Sequence, residues 1–223
     1  MHVNSHNVLV FFHLVFFVYA IGGDIAVYLI GRYVIRNELN LDERLRVRDI
    51  RSLVDMSART SLVLLLPLGF TLAIPFGSPL RDQWLTLLWV ADLAWLWLVW
   101  AVYFKRLTPL GEQLRNVDLA IRYALAAAMV GFGVYCLVNQ APIASGWLAA
   151  KILLFGAVIL NGIWIRSIVA RWPAAIEMAR GGGDGVAEGE RAMQANQTST
   201  NRAALLIWIL VIVMAFLGKV KPF

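Results

Sequence analysis

Residues 147–165, WLAAKILLFGAVILNGIWI, form an apolar stretch that contains only one charged side chain, that of Lys151. About 20 apolar residues in helical conformation cross the hydrocarbon core of a bilayer, which is about 30 Å thick. The stretch therefore predicts a transmembrane helix. A charged side chain inside such a helix is rare and costly, so Lys151 is the first candidate for a functional residue.

The composition of the whole chain is typical of a membrane protein. Of the 223 residues, 60% are hydrophobic and only 15% are charged, which is far from the balance of a soluble domain. Six segments approach the length of a membrane span: 8–31, 60–77, 84–104, 123–140, 147–165 and 203–218. We predict an all-α fold, a polytopic membrane helix bundle of six transmembrane helices that forms a single domain over residues 1–223. The side chains of Arg59 and Arg122, at the ends of two shorter segments, are expected to reach the lipid headgroups.

The distribution of Lys and Arg predicts the orientation of the bundle, because cytoplasmic loops are rich in these residues. Besides Arg32 at the end of helix 1, the loops after helices 1, 3 and 5 contain fifteen of them: Arg36, Arg44, Arg46, Arg48, Arg51, Arg59, Lys105, Arg106, Arg115, Arg122, Arg166, Arg171, Arg180, Arg191 and Arg202. The interhelical loops on the opposite side contain only Arg81. Both termini are therefore predicted on the periplasmic side of a bacterial inner membrane, with the lipid bilayer as partner. Since the same pattern explains the net charge of +6, nucleic acid is not expected as a partner.

Two of the cytoplasmic segments have a recognisable character. In residues 37–58, Asn40 precedes Glu43 by three positions, which is a helix-capping spacing, and apolar residues lie between arginines. We predict a cytoplasmic interfacial helix there, which either lies on anionic lipid or connects two spans with a solvated face. Residues 180–201 are polar and glycine-rich without periodicity, and they predict a flexible cytoplasmic loop.

Polar side chains inside the predicted helices are the candidates for a site. Helix 1 contains His13 and Asp24, helix 3 contains Asp92, and helix 5 contains Lys151 and Asn161. Counted from the outer helix ends, Lys151, His13 and Asp92 lie within about 12 Å of the membrane surface. Three helices thus place an amine, an imidazole and a carboxylate in one layer of the outer leaflet, whereas Asp24 lies deeper.

The spacing within helix 1 predicts which way its polar residues face. His13, Phe17, Ala20 and Asp24 are separated by four, three and four positions, so they share one face of the helix. This face is expected to point into the bundle, because lipid does not accommodate such groups.

Structural interpretations of these residues remain open. Lys151 could extend to the outer headgroups from its shallow depth. His13 could donate a hydrogen bond to a backbone carbonyl, and Asp92 could pair with Lys151 or with a tryptophan indole. The single cysteine, Cys136, excludes an internal disulfide and is expected to be a packing residue.

Three helices resemble those of one group of bacterial membrane proteins. The stretches HLVFFVYAIGG (13–23), SARTSLVLLLPLGF (57–70) and GWLAAKILLFGAVI (146–159) are similar to helices in this group. It includes the copper-resistance D-type membrane domains, the haem-dependent J-type protoporphyrinogen oxidases and predicted integral membrane proteins without assigned function. In the first stretch Tyr19 stands where the group usually has tryptophan.

The resemblance implies a haem-linked site. His13, Tyr19 and Gly23 fall on the motif of the first helix, and Lys151 falls on the lysine of the oxidases. Leu29 stands where the oxidases have an arginine, so the resemblance implies haem binding rather than protoporphyrinogen oxidation. A lone imidazole in an apolar bundle is suited to axial ligation of haem iron.

Two classes of function follow for an inner-membrane protein. The first is b-haem-binding or redox-linked, with a site in the outer-leaflet half of the bundle. Its haem iron is ligated by His13, its propionate or substrate carboxylate contacts Lys151, and its partner is a second copy or a membrane redox protein. The second is a small-molecule or ion transporter, or a membrane-complex assembly component, in which Asp24, Asp92 and Lys151 form a polar path. No residue is assigned a catalytic role.

Overall fold

A computed structural model of the protein describes residues 4–182 and 184–223, and this part of the chain is helical. Its elements in chain order are α1 (Ser5–Val34), α2 (Leu41–Ala73), a 3-10 turn (Ile74–Phe76), α3 (Asp82–Phe104), α4 (Pro109–Asn139), α5 (Gly146–Val169), α6 (Trp172–Arg180) and α7 (Asp184–Val220). Six of them, α1 to α5 and α7, are long and apolar enough to span a membrane. Since the described residues contain no strand, the predicted all-α fold with six such helices is confirmed.

The second helix is longer than predicted. Asn40 accepts a hydrogen bond from the backbone N–H of Glu43, and the Glu43 carboxylate accepts one from the N–H of Asn40, so the predicted cap is confirmed. No glycine or proline follows until Pro67, and nothing stops the helix that begins at this cap. The segment predicted as a separate interfacial helix over 37–58 is therefore, from Leu41 onward, the first part of α2.

The segment 180–201 also differs from its prediction as a flexible loop. Helix α6 ends at Arg180, and α7 covers the rest of the segment from Asp184 onward. The residues after Gly185 are mostly strong helix formers, such as alanine, glutamate and glutamine. Gly189 packs so closely on the backbone of α6 that a Cβ would not fit there. Tertiary packing thus orders a composition that by itself indicates flexibility.

Close contacts show that α1 packs antiparallel to α2, and α5 antiparallel to α7. On α1 and α2, Gly23 lies against Ala58, whereas His13 lies near Gly69 further along. On α5 and α7, Lys151 lies against Gly218, whereas Asn161 donates a hydrogen bond of 2.7 Å to the carbonyl of Ala203. The start of α1 and the end of α7 therefore share one end of the bundle, the terminal end. The opposite end contains α6 and is called the α6 end.

A buried arginine joins three helices at the α6 end. Arg44 of α2 is only 3% exposed, and its Nε donates to the carbonyl of Val34, the last residue of α1, at 2.7 Å. Its two Nη atoms donate to the two carboxylate oxygens of Glu190 of α7, at 2.7 and 2.8 Å. This bidentate geometry is the strong form of the arginine–carboxylate pair, and it anchors the beginning of α7.

Candidate functional site

The first candidate site is a cavity of about 120 Å³ in the terminal half of the bundle, the terminal cavity. Its lining residues come from α1, α2, α4, α5 and α7: His13, Phe17, Leu62, Leu65, Leu66, Gly69, Phe70, Ala73, Met129, Leu148, Lys151, Ile152, Phe155, Val211, Met214 and Ala215. The only titratable side chains among them are His13 and Lys151. The structure thus brings together the imidazole and the amine that were predicted to share a layer.

His13 reaches this cavity because of its place on α1. His13 and Phe17 line the terminal cavity, Ala20 is 3% exposed, and Asp24 lines a second cavity. The prediction that these four residues share an interior face is therefore confirmed. His13 Nδ1 is buried and has no hydrogen-bond partner among the residues described, so this ring nitrogen is available to a ligand.

Lys151 directs its amine towards the end of α7. Its Nζ lies in a notch on α7 that Gly218 leaves open, since a Cβ at that position would be only 2.7 Å from Nζ. No ion pair within the described chain involves Lys151. Lys151 is thus half-buried beside a glycine, and no carboxylate of the described chain pairs with its amine.

Asp92 lies apart from this site. It is 3% exposed, yet it lines neither cavity. Both of its carboxylate oxygens lack a hydrogen-bond partner in the part of the chain that the structure describes. Asp92 therefore forms neither the ion pair with Lys151 nor the tryptophan hydrogen bond that the sequence left open.

Two other candidates on α1 also lie outside the terminal cavity. Tyr19 is 60% exposed on the outer face of the bundle. Gly23 is a packing position, because a Cβ there would be 2.7 Å from Ser57 Oγ and 3.1 Å from the backbone of Ala58. Neither residue lines the cavity that contains His13.

A second cavity of about 80 Å³ adjoins the first. We call it the arginine cavity, because Arg59, Arg122 and Arg166 line it together with Asp24 and Asp55. Leu62 and Phe155 line both cavities, and so form the boundary between them. Polar groups therefore occupy two successive levels inside the bundle.

Asp118 of α4 is the centre of the buried charges beside the arginine cavity. It is fully buried, and its carboxylate pairs with Arg166 of α5 and with Arg122 of its own helix, at 3.1 Å in the latter case. The indole N–H of Trp95 donates to the same carboxylate at 2.8 Å. One carboxylate thus serves two guanidinium groups, and Nη2 of Arg122 is buried without a partner among the described residues.

The arginine cavity was missed in the sequence, apart from Asp24. Arg59 and Arg122 were predicted to extend to the headgroups, but α2 and α4 continue well beyond them on the α6 side, so both arginines lie within helices. Arg59 forms an ion pair of 2.5 Å with Asp55. A usable signal was present, since each arginine follows an aspartate by four positions, a spacing that pairs side chains on one helical face.

The terminal cavity fits haem in chemistry but not in size. His13 offers a free ring nitrogen, and the thioethers of Met129 and Met214 line the same space. Pockets for drug-sized ligands have volumes of roughly 300 to 1,000 Å³, and a porphyrin belongs in that range. A cavity of about 120 Å³ does not hold one in this packing. Haem ligation by His13 therefore stays a prediction and enters no step below.

No family model, curated protein or solved structure matches this chain. The resemblance to the copper-resistance D-type group stays a prediction as well. The two cavities and the groups that line them are therefore the basis for a function.

Proposed function

We propose that this chain is a multi-pass membrane protein that conducts a small solute through the interior of its helix bundle. The observation that supports this proposal is the adjacency of the two cavities, which share Leu62 and Phe155 as lining residues. Charged groups inside a membrane bundle commonly mark the route of a solute or ion. In this route Lys151 and His13 belong to the terminal cavity, and Asp24 belongs to the arginine cavity.

We place the protein in the inner membrane of a bacterium, with the α6 end in the cytoplasm. The Lys and Arg residues concentrate at the α6 end, and cytoplasmic loops retain such residues. A solute entering from the periplasm would then meet the terminal cavity first. Leu62 and Phe155 form an apolar barrier before the arginine cavity, so passage requires these side chains or their helices to move.

Cysteine labelling tests the path without knowledge of the solute. Cys136 is the only cysteine, so a Cys136→Ala background allows single cysteines to be placed at will. Gly162→Cys lines the arginine cavity, and Gly131→Cys lies on the exposed face of α4; an added Cβ meets no atom within 4 Å at either glycine. In protein reconstituted into lipid vesicles, we expect a small water-soluble thiol reagent to modify Gly162→Cys and to leave Gly131→Cys unreacted.

The boundary residues supply the second measurement. When Leu62 and Phe155 are unchanged, reagent applied from the terminal side should modify Ala215→Cys of the terminal cavity faster than Gly162→Cys. Adding Phe155→Ala should bring the two rates together, because it removes the larger of the two boundary side chains. Equal, slow modification of Ala215→Cys, Gly162→Cys and Gly131→Cys in both backgrounds would overturn the proposal.

A further inference from the structure

The polar end of the terminal cavity has an excess of positive charge. Lys151 contributes an ammonium group, and no aspartate or glutamate is among the lining residues. The two carboxylates in the neighbouring spans do not supply the missing charge, because Asp24 lines the arginine cavity and Asp92 lines neither cavity. A cation that lines an apolar cavity is costly unless an anion pairs with it. The ion that balances Lys151 is therefore to be sought in a ligand.

The two polar groups could contact one anionic group together. Lys151 Nζ lies in the notch at Gly218, and His13 Nδ1 is buried without a partner in the described chain. An ammonium group and an imidazole N–H can both donate to the two oxygens of one carboxylate. A single positive charge from Lys151 balances the single charge of a carboxylate, whereas a phosphate dianion would remain half neutralised.

The rest of the cavity determines the size and character of the ligand. Apart from the two polar residues, the lining is aliphatic, aromatic or thioether, with Phe17, Met129 and Met214 as examples. Its volume of about 120 Å³ is slightly below that of an engineered apolar cavity, about 150 Å³, that binds benzene. A phenyl ring or a short alkyl chain is therefore the largest apolar part that fits.

We propose that the terminal cavity binds a small monocarboxylic acid as its anion. The carboxylate contacts Lys151 Nζ and the His13 imidazole, and the apolar part lies between Phe17, Met129 and Met214. This inference rests on the proposed function and names the class of solute that the path conducts. In this proposal Lys151, a cation in an apolar segment, makes the cavity selective for anionic over neutral ligands.

Benzoate and benzamide test the inference, because they share shape and differ in charge. Isothermal titration of the full-length protein in mild detergent should show benzoate binding, with benzamide weaker by roughly 10- to 100-fold, the range of a charge-assisted hydrogen bond. Lys151→Met should weaken benzoate by a similar factor and leave benzamide unchanged. Lys221→Met is the matched control; it removes an equal charge at the terminal end, where Lys221 stacks on Phe76 and Trp147 outside the cavity lining.

A second variant keeps the test valid if Lys151→Met does not fold. Gly218→Ala retains the charge of Lys151 but occupies the notch, since the new Cβ would lie 2.7 Å from Nζ. It should also weaken benzoate more than benzamide. Equal binding of the two ligands by the wild type, or no binding of either, would overturn the inference.

The labelling experiment separates this failure from failure of the proposed function. Absence of benzoate binding, with Gly162→Cys still reactive, would overturn the solute class and leave the path. Tight benzoate binding with Gly162→Cys and Ala215→Cys unreactive would overturn the path and leave a carboxylate-binding membrane protein. If both proposals hold, benzoate should slow the modification of Ala215→Cys and should not affect Gly131→Cys.

Discussion

At the scale of single residues, two buried aspartates illustrate how differently a carboxylate can be held inside one bundle. Asp118 pairs with Arg122 and Arg166 and accepts a hydrogen bond from Trp95. Asp92 is almost as buried, but neither of its oxygens has a partner in the described chain. Burial alone therefore does not tell how much either carboxylate contributes to the stability of the fold.

We expect Asp118→Asn to destabilise the protein strongly and Asp92→Asn to leave its stability unchanged or raised. The first change removes the only negative charge that pairs with Arg166 and Arg122 among the described residues, and breaking a buried pair costs about 3 to 5 kcal/mol. The second replaces a carboxylate without partners by a neutral amide, which removes a desolvation cost. Thermal unfolding of both variants in the same detergent checks the prediction, and equal destabilisation would contradict it.

At the scale of elements, small residues set the distance between α4 and α5. A Cβ at Gly133 would lie 2.7 Å from the backbone nitrogen of Leu153, and one at Gly156 would lie 3.0 Å from that of Val130. Two helices approach this closely only where side chains are absent from the contact, as is common in membrane bundles. Gly133 thus permits close packing, whereas Gly131, two positions away, faces open space.

Gly133→Ala should therefore destabilise the protein, whereas Gly131→Ala should not. Overpacking at Gly133 forces α4 from α5 and should cost about 1 to 3 kcal/mol. Gly131→Ala adds a methyl group to an open surface and should be neutral, or stabilising by up to about 1 kcal/mol, because alanine favours the helix. Unfolding midpoints of the two variants measure the difference. Loss of stability at both positions would show that the surface at Gly131 is covered by another molecule.

The ion pair between Arg44 and Glu190 joins the beginning of α7 to α2, so the order of this segment should be sensitive to Glu190. Glu190→Gln removes the charge that pairs with both Nη atoms of Arg44 and should increase hydrogen exchange in residues 185–200. Glu188→Gln is the control. Glu188 is exposed, and this substitution removes an equal charge about half a turn from Glu190 without breaking the pair with Arg44. If this segment exchanges rapidly already in the wild type, that result would contradict an ordered helix and support the flexible loop that its composition predicts.

At the scale of the whole molecule, orientation is the first property to measure. Reporter fusions after residue 107, between α3 and α4, and after residue 140, between α4 and α5, lie at opposite ends of the bundle. A reporter that is active only in the cytoplasm should give signal at 107 and none at 140, because Lys and Arg concentrate at the α6 end. The reverse pattern would invert the bundle and contradict the proposed direction of the path.

The visible absorption spectrum decides between a solute path and a haem site. Since the terminal cavity is smaller than a porphyrin requires, we expect the protein purified from its membrane to show no Soret band. Added haem should likewise give no band that depends on His13. A Soret band in the wild type that His13→Ala removes, in a variant that still folds, would replace the proposed function by the haem-linked one.

The sequence was sufficient to predict the six long apolar helices and the two polar residues of the terminal cavity. A charge or imidazole within an apolar run is visible without tertiary information, as Lys151 and His13 are. The helical period then relates His13 to Asp24 on one face of α1. Asp92 shows the limit of this reasoning, since its depth could be counted from the sequence but the direction in which α3 presents it could not.

The arginine cavity was not predicted as a whole, because its arginines lie at what the sequence indicates as helix ends. Arg122 beside an apolar run is typical of an interfacial residue, and only the length of α4 makes it an interior one. The partners of Asp118 come from three helices, and their meeting depends on how α3, α4 and α5 are rotated against one another.

The shared carboxylate of Asp118 has a consequence for biosynthesis. During translation α4 leaves the ribosome before α5, so for a time Asp118 has only Arg122 of its own helix to neutralise it. Arg166 arrives with the end of α5 and brings the second guanidinium. Insertion of either helix alone would place a charged residue in lipid at a high free-energy cost. We therefore expect the translocon to release α4 and α5 together as a helical hairpin. Ribosome-stalled chains that end before residue 166 should then leave α4 extractable by alkaline carbonate, whereas longer chains should retain it in the membrane.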